Sequence, residues 1–261
     1  MLKTRLLTAA VLLPAVGALV LFAPDWFFTI FIAVAGCWGF YEVIAMAGAP
    51  HWLAVLLCAV AGGVPLFGLL YAGDAGWLAP VLVILMMLGL VARVQFVGAG
   101  ETLKGPRLAL IGAAYVGVLF PYFALLRNSP GGIDLLLLVI LLAVVSDSAA
   151  YFVGRYLGRT RLAPNVSPNK TIEGAAGGLI ATTVAGWALF KMIGGTWDMG
   201  SVALFSAMIS ALAQLGDLAG SALKRTAGVK DSGWIFPGHG GLLDRTCSLV
   251  LAVVLTYYWF R

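Results

Sequence analysis

The sequence has few charged side chains: 16 Lys and Arg and 11 Asp and Glu among 261 residues. A soluble protein of this length would carry about 65, at roughly a quarter of its residues. Hydrophobic residues make up 62% of the chain, which also excludes a disordered chain, because disorder requires low hydrophobicity and high charge. The apolar runs are continuous rather than alternating, which excludes an outer-membrane barrel. Composition therefore predicts an all-α, polytopic integral membrane protein.

Cysteine is scarce as well. Cys37, Cys58 and Cys247 form no C-x-x-C pair, so the sequence predicts neither a disulfide framework nor a zinc site. The formal net charge of +5 is no argument for a nucleic-acid partner, since membrane proteins keep an excess of Lys and Arg in their cytoplasmic loops. We expect no nucleic acid to bind.

Apolar runs of spanning length recur along the whole chain. A span needs about 20 mostly apolar residues, and the first and last runs are short, which leaves a count of eight open. With a cytoplasmic N-terminus, all but three of the 16 Lys and Arg fall on the inner side, as expected for a correct orientation. We therefore predict about nine transmembrane helices in the cell's inner (plasma) membrane, with the active site facing the cytoplasm. The runs lie near 6–22, 27–47, 52–71, 77–98, 108–126, 134–153, 174–193, 200–222 and 246–260.

Charge is distributed unevenly between two regions. Residues 147–245 hold 15 of the charged side chains, including those of two cytoplasmic basic loops at 154–173 and 223–245. We expect 1–133 to form a scaffold or lipid-facing wall of helices and 134–261 to form the catalytic region.

Some predicted spans contain carboxylates, which are costly at membrane depth and usually functional. Glu42 is one of them, and for Glu42 we favour simple pairing with a neighbouring Arg. Two others are followed by polar side chains on the same helix face: Asp147 by Tyr151 and Arg155, and Asp217 by Ser221.

The second basic loop combines cations, carboxylates and glycines. Glycine lets a backbone approach a ligand closely, and Lys and Arg bind phosphate. Asp217 and Asp244 flank the loop, and paired carboxylates completed by phosphates are a common way to hold Mg²⁺. His239 is expected to donate a hydrogen bond to phosphate or to the loop backbone. The loop's other polar or glycine residues of interest are Lys224, Arg225, Lys230, Asp231, Gly240, Gly241 and Arg245.

The first basic loop adds Arg155, Arg159, Arg161 and Lys170. Ser167 followed by Pro168 predicts an N-cap and the first residue of a helix. Such a helix N-terminus beside Lys170 would bind an anion.

The segment from Ser221 to Arg245 resembles the signature of the phosphatidate cytidylyltransferases, or CDP-diacylglycerol synthases. That signature runs S-x-(apolar)-K-R-x₄-K-D-x-(small)-x₂-(apolar)-P-x-H-G-G-(apolar)-x-D-R-x-D. The stretch from Asp147 to Gly178 resembles a second conserved block of the family. One departure is visible, because Cys247 stands where the signature ends in Asp, and a thiol is a poor ligand for Mg²⁺.

The resemblance implies a nucleotidyltransferase that joins CTP and phosphatidic acid at the bilayer surface. The lipid phosphate attacks the α-phosphorus of CTP, giving CDP-diacylglycerol and pyrophosphate for phospholipid biosynthesis. Mg²⁺ is the implied cofactor, and a second, monovalent cation such as K⁺ is left open. Members of the family look dimeric, which leaves a homodimer open.

Roles for individual residues follow from this resemblance. Metal ligands would be Asp217 and Asp244, with Asp231 as a third ligand or as a tether for Lys230. Cations that neutralise the triphosphate would be Lys224, Arg225, Lys230 and Arg245, with His239 beside them. Substrate-binding residues would be Asp147, Tyr151, Arg155, Ser167, Lys170, Ser221, Gly240 and Gly241, of which Ser167 and Lys170 contact nucleotide and Arg155 the lipid phosphate.

Two other functions compete with this interpretation. A CTP-dependent membrane kinase acting on a polyprenol or phytol would transfer the γ-phosphoryl group. A transporter for an anionic substrate would use the basic residues for binding, although the near absence of outer-side cations and of an internal repeat disfavours it.

Overall fold

The computed structural model describes residues 14–48, 78–96, 106–192, 197–235 and 240–261. Helices make up most of this part of the chain, and residues 14–22 are helical ahead of the first labelled element. A two-stranded hairpin interrupts the helices after α5. The elements are α1 (Asp25–Ala47), α2 (Leu78–Phe96), α3 (Pro106–Leu119), α4 (Pro121–Arg127), α5 (Gly132–Tyr156), β1 (Arg161–Ala163), β2 (Ser167–Thr171), α6 (Ile172–Met192), α7 (Met199–Ala227) and α8 (Leu243–Trp259).

Six apolar segments of the described chain are long enough to cross a membrane, so the predicted polytopic, helical membrane class is confirmed. One of them, Arg107–Arg127, combines α3 and α4, which part at Pro121, a residue that lacks a backbone N–H. The count of nine is not confirmed. The predicted span 52–71 lies outside the described residues, as does half of 6–22, and α8 has 17 residues.

The helix predicted to begin at Ser167 is wrong. Residues Ser167–Thr171 form β2, which pairs antiparallel with β1 in the register Arg161 with Thr171 and Ala163 with Ser167. The helix begins at Ile172, and Thr171 takes the capping place, because its Oγ1 accepts the Gly174 N–H at 3.1 Å. Proline preceded by a polar residue fits an extended segment as well as a helix start, and pairing with β1 decides between them.

The C-terminal helices pack closely through small residues. Contacts are most extensive between α5 and α6, α7 and α8, and α6 and α7. On α6, a Cβ at Gly177 would overlap Val153 of α5. On α7, Gly216 and Gly220 lie directly against Cys247 of α8. Small residues four apart on a helix permit this close approach of backbones in membrane proteins.

An ion pair ties α4 to the start of α1 at the predicted outer side. Arg127 is buried, and its Nη1 lies 2.6 Å from Asp25 Oδ1. The same guanidinium donates to the carbonyl oxygens of Val20, at 3.1 Å, and Ala23. All three contacts hold the chain around residue 24 against α4.

Candidate active site

A polar cavity of about 650 Å³ opens between α5, the hairpin, α6 and α7. The first basic loop supplies its cations and the two long helices supply its carboxylates. The cavity therefore brings opposite charges together around one open space. Its charged and polar lining residues include Asp147, Tyr151, Arg155, Arg159, Arg161, Asn169, Lys170, Thr171, Gln214 and Asp217.

Asp217 and Lys170 form an ion pair inside this cavity. Lys170 Nζ lies 2.7 Å from Asp217 Oδ2, and the Asp217 side chain remains 42% exposed. Below it, the Gln214 amide donates to Ala175 O at 3.1 Å and to Ser210 Oγ at 3.2 Å, which fixes α7 against α6. Because solvent reaches the pair, an incoming ligand can compete for either partner.

The rim of the cavity is held by Glu173. Its carboxylate accepts the backbone N–H groups of Arg159 and Thr160, each at 3.1 Å. Across the opening, the Arg155 guanidinium donates to Tyr151 Oη at 2.9 Å. These contacts orient the rim while the side chains of Arg155 and Arg159 stay exposed, so their guanidinium groups can bind an anion.

A second ion pair, Lys224 with Asp244, lies in a more enclosed cluster. The Asp244 side chain is 5% exposed. Lys224 Nζ donates to Oδ1, while Oδ2 accepts the N–H of Ser232 and of Gly241, each at 2.9 Å, and the Ser232 hydroxyl at 3.1 Å. Burial alone would raise the pKa of Asp244, but the bonds from Lys224 and the two N–H groups outweigh it and hold that pKa below its ordinary value.

The glycines of the second basic loop have a specific purpose in this cluster. Gly240 has a φ of +80°, which side chains other than glycine rarely adopt. A Cβ at Gly240 would overlap Asp244 Oδ2, and one at Gly241 would overlap Ser232 Oγ. Both glycines therefore allow the loop to close around a carboxylate of this same chain.

An apolar groove of about 380 Å³ meets the polar cavity at Asp147, which lines both. Residues 16–20 and helices α1, α4, α5 and α8 form its walls. Its polar end holds Arg245, Thr246 and Ser248 beside Asp147. A space open to water thus adjoins a space suited to hydrocarbon.

Comparison with known proteins places this arrangement in a family. The family model described as "Cytidylyltransferase family" matches residues 3–261. The chain belongs to the cytidylyltransferase family. Membership confirms the resemblance seen in the signature and fits the predicted class of nucleotidyltransferase.

Curated relatives named phosphatidate cytidylyltransferase support the same assignment. The chain is 40% identical to the protein of Staphylococcus haemolyticus over 146 residues, which cover 56% of this chain and 55% of the relative. It is 40% identical to that of Bacillus subtilis over 150 residues, or 57% and 55% of the two chains. The match to that of Staphylococcus epidermidis is 39% over 146 residues, with 56% and 55% covered. The chain thus spans about half the length of the relatives it matches.

In this cytidylyltransferase-family chain the predicted residues separate into two groups. Five of them line the polar cavity, and the other described ones lie outside it. Arg225, for example, donates to the carbonyls of Val166 and Val229 at 3.4 and 3.2 Å, and so joins the hairpin to the end of α7. Lining the cavity are Asp147, Tyr151, Arg155, Lys170 and Asp217; outside it are Ser167, Ser221, Lys224, Arg225, Lys230, Asp231, Gly240, Gly241, Asp244 and Arg245. His239 lies outside the described residues.

The three predicted metal ligands are not gathered in one place. Asp217 lies in the cavity, Asp244 is enclosed by four donors, and Asp231 is exposed in the loop. Over the described ranges, no group of three or more His, Cys, Asp or Glu side chains is arranged for a metal. Asp147 and Asp217 still face one cavity, and two carboxylates completed by phosphate oxygens suit Mg²⁺.

Cys247, the departure from the signature, is a packing residue. Its side chain is buried, 5% exposed, against Gly216 and Gly220. A larger side chain at either glycine would displace the first turns of α8. Position 247 therefore sets the spacing between α7 and α8 and does not face the polar cavity.

Sequence reasoning missed several polar residues of the site. Gln214 and Asn169 line the cavity, and Ser232 donates to Asp244. Gln214 carried a usable signal, because it is a polar residue in an apolar run, three positions before Asp217 on the same helix face. Ser232 carried none, since its partner is set by the closing of the loop.

Proposed function

We propose that this chain is a phosphatidate cytidylyltransferase, which joins CTP to phosphatidic acid to give CDP-diacylglycerol and pyrophosphate. The proposal rests on one observation: the polar cavity, which several cations line, adjoins the apolar groove at Asp147. One space suits a water-soluble triphosphate and the other suits acyl chains. The family and the names of the relatives support the same reaction.

The cavity cations would bind the CTP triphosphate. Arg159, Arg161 and Lys170 surround the space from the hairpin side, and Arg forks match phosphate oxygens in pairs. Both reactants are anionic, so the chief barrier is their mutual repulsion and the charge that develops on the leaving pyrophosphate. Fixed cations in the cavity reduce this repulsion and stabilise the charge on the leaving pyrophosphate.

Mg²⁺ would be held by Asp217 together with Asp147. When bound, it supplies positive charge that neutralises phosphate oxygens. Asp244 is a metal ligand by resemblance to the signature, but both of its oxygens already accept hydrogen bonds from donors of its own chain. We therefore assign Asp244 a structural role, which is to hold the second basic loop. The second, monovalent cation stays a prediction.

The lipid would lie with its acyl chains in the apolar groove and its phosphate beside Arg245 and Arg155. A phosphate oxygen attacks the α-phosphorus, a new P–O bond forms, and the bond to the β-phosphate oxygen breaks with its electron pair leaving on pyrophosphate. The attacking oxygen is already ionised, so no protein nucleophile or base is needed. We place this face of the molecule toward the cytoplasm, because the basic loops and CTP belong on the same side. A homodimer stays a prediction.

The test uses detergent-purified protein with phosphatidic acid, Mg²⁺ and CTP labelled at either the α- or the γ-phosphate. We expect α-label to move into lipid and γ-label to appear in pyrophosphate, and EDTA to abolish both. Asp217→Asn should remove the activity. Asp198→Asn, which alters the exposed cap of α7, should keep it.

Other outcomes separate the rival functions. Transfer of γ-label to a polyprenol with release of CDP would establish a membrane kinase. Uptake of an unchanged anion into vesicles, with no label in lipid, would establish a transporter. Either result would overturn the proposal.

A further inference from the structure

Glu42 is a fully buried carboxylate in α1, far in sequence from the signature loop that it contacts. Its side chain is 2% exposed. Within the described chain, Oε1 accepts from Trp38 Nε1 at 3.1 Å and from the Leu242 N–H at 2.7 Å. Oε2 accepts from the Ser232 hydroxyl at 2.8 Å and from the Leu243 N–H at 3.0 Å. Both oxygens are therefore bound by donors, and the pairing with an Arg favoured from the sequence is replaced by these four bonds.

Two of these donors belong to the start of α8. The first N–H groups of a helix have no partner within the helix, and the apolar Leu242, which precedes α8, has no side-chain group that could accept them. A carboxylate is favourable there because it also faces the positive end of the helix dipole. Glu42 thus caps α8 from a different helix.

Ser232 extends this contact to the second ion pair. Its hydroxyl lies between two carboxylates, 2.8 Å from Glu42 Oε2 and 3.1 Å from Asp244 Oδ2. This arrangement requires glycine at position 241, because a Cβ there would lie only 2.5 Å from each carboxylate oxygen of Glu42. Residues 232, 242 and 243, on either side of the loop, are consequently held by one side chain of α1.

We propose that Glu42 is a positioning residue for the active site. It acts through Asp244 and the first turn of α8, whose Arg245 lies at the polar end of the apolar groove. Reactive groups must be held to within about 0.5 Å of their working positions, and Glu42 fixes this segment against the rest of the bundle. The proposal rests on the proposed function for its kinetic consequence, and on contacts alone for its structural one.

The kinetic test compares Glu42→Gln with Asp25→Asn. Gln keeps the shape of the side chain but places an NH₂ group against groups that are themselves donors. We expect kcat to fall about 10- to 100-fold, as for other residues that orient active-site groups. The KM for CTP should stay within about twofold, or about 0.4 kcal/mol, because the substitution leaves the cavity cations unchanged. Asp25→Asn breaks an ion pair at the opposite end of the same helix and should lower the melting temperature without changing kcat.

A second readout is independent of activity. In a Cys37→Ser, Cys58→Ser background the remaining thiol is Cys247, buried one turn after Asp244. Glu42→Gln should make Cys247 react faster with a maleimide, whereas Asp25→Asn should not. If the wild type lacks cytidylyl transfer, the proposed function fails, and this labelling still decides whether Glu42 holds α8.

Two results would overturn the inference. One is wild-type kcat and labelling in Glu42→Gln. The other is equal changes in Asp25→Asn, which would reduce the effect to general loosening. If Glu42→Gln does not fold, Ser232→Ala, which cuts the link between Glu42 and Asp244, is expected to give smaller changes of the same kind in both readouts. A Ser232→Ala protein identical to wild type would then reject the inference.

Discussion

The described part of the chain contains two Lys–Asp ion pairs that differ in their exposure to solvent and in their hydrogen-bond partners. Lys170 and Asp217 are 2.7 Å apart in an open cavity, with Asp217 42% exposed. Lys224 of α7 and Asp244 of α8 lie in a more enclosed cluster, where Asp244 is 5% exposed and accepts three further hydrogen bonds. A ligand can exchange with the first pair at little cost, whereas breaking the second strands a buried charge. We therefore propose that the same two residue types bind substrate in one place and hold the structure in the other.

The sharpest way to break this comparison is Lys170→Met. We expect cytidylyl transfer to fall by at least about 100-fold, the usual loss when a group that stabilises developing charge is removed. The melting temperature should change little, because the pair is solvent-exposed. Initial rates and thermal unfolding in the same detergent measure both. A large loss of stability would show that the open pair is structural after all.

Lys224→Met should have the opposite effect, with a large loss of stability and a smaller loss of activity. Removing one partner of a buried pair typically costs about 3–5 kcal/mol of unfolding free energy. The variant is expected to unfold at lower temperature and to keep measurable activity below that temperature. Unfolding free energy measured against denaturant provides the check, and wild-type stability in this variant would contradict the enclosed role of Asp244.

The pH dependence of stability extends this second test. The pKa of Asp244 lies below its ordinary value in the folded protein, so its contribution is fully present above the unfolded pKa of about 3.9 and is lost as pH falls through the folded value. Lys224→Met removes a cause of that lowering. The folded pKa in the variant should therefore lie closer to the unfolded one, so the variant should lose less stability than wild type as pH falls, which melting curves between neutral and acid pH would show.

Much of the helical architecture could be predicted, because hydrophobicity alone identifies a membrane span. The predicted spans 134–153 and 200–222 correspond to Gly132–Tyr156 and Met199–Ala227. The helices extend past the apolar runs because Arg155, Lys224 and Arg225 continue them into the aqueous interface, where hydropathy falls but helical hydrogen bonding does not. The division at residue 133 stays a prediction.

The site was harder to predict, for reasons of geometry. The residue types were recognised, yet the sequence does not say which of two cationic loops encloses a cavity. β1 and β2 bring Arg161 and Lys170 to the same cavity, and Ser167-Pro168 gave no sign of a strand. The bonds of Glu42 could not be predicted, because they come from the backbone N–H groups of Leu242 and Leu243, about 200 residues away. No local sequence pattern indicates such a contact.

Glu173→Gln would sharpen the comparison at the cavity rim. The substitution weakens the acceptor for the Arg159 and Thr160 N–H groups. We expect KM for CTP to rise about three- to tenfold, the equivalent of one hydrogen bond, with kcat nearly unchanged. Steady-state kinetics over a range of CTP concentrations would decide, and a fall in kcat alone would place Glu173 in the chemistry rather than in the rim.

Lys230→Met is expected to have the smallest effect. It makes the same chemical change as Lys170→Met, but at an exposed position outside the cavity. Exposed substitutions usually change free energies by about 0.5 kcal/mol or less, so rates should stay within about twofold. A loss comparable to that of Lys170→Met would mean that the signature loop itself binds substrate, as the sequence alone suggested.

The glycines around the polar cavity have a consequence for how this protein tolerates variation. Gly154, Gly158 and Gly174 line the open polar cavity, and positions around a cavity that is open to solvent ordinarily accept many residues. A Cβ at each would nevertheless overlap Thr171 or the backbone carbonyl of Gly154 or Ala150. Saturation mutagenesis should therefore show that these three positions tolerate substitution as poorly as core positions do. Almost all natural variants at them are expected to be deleterious.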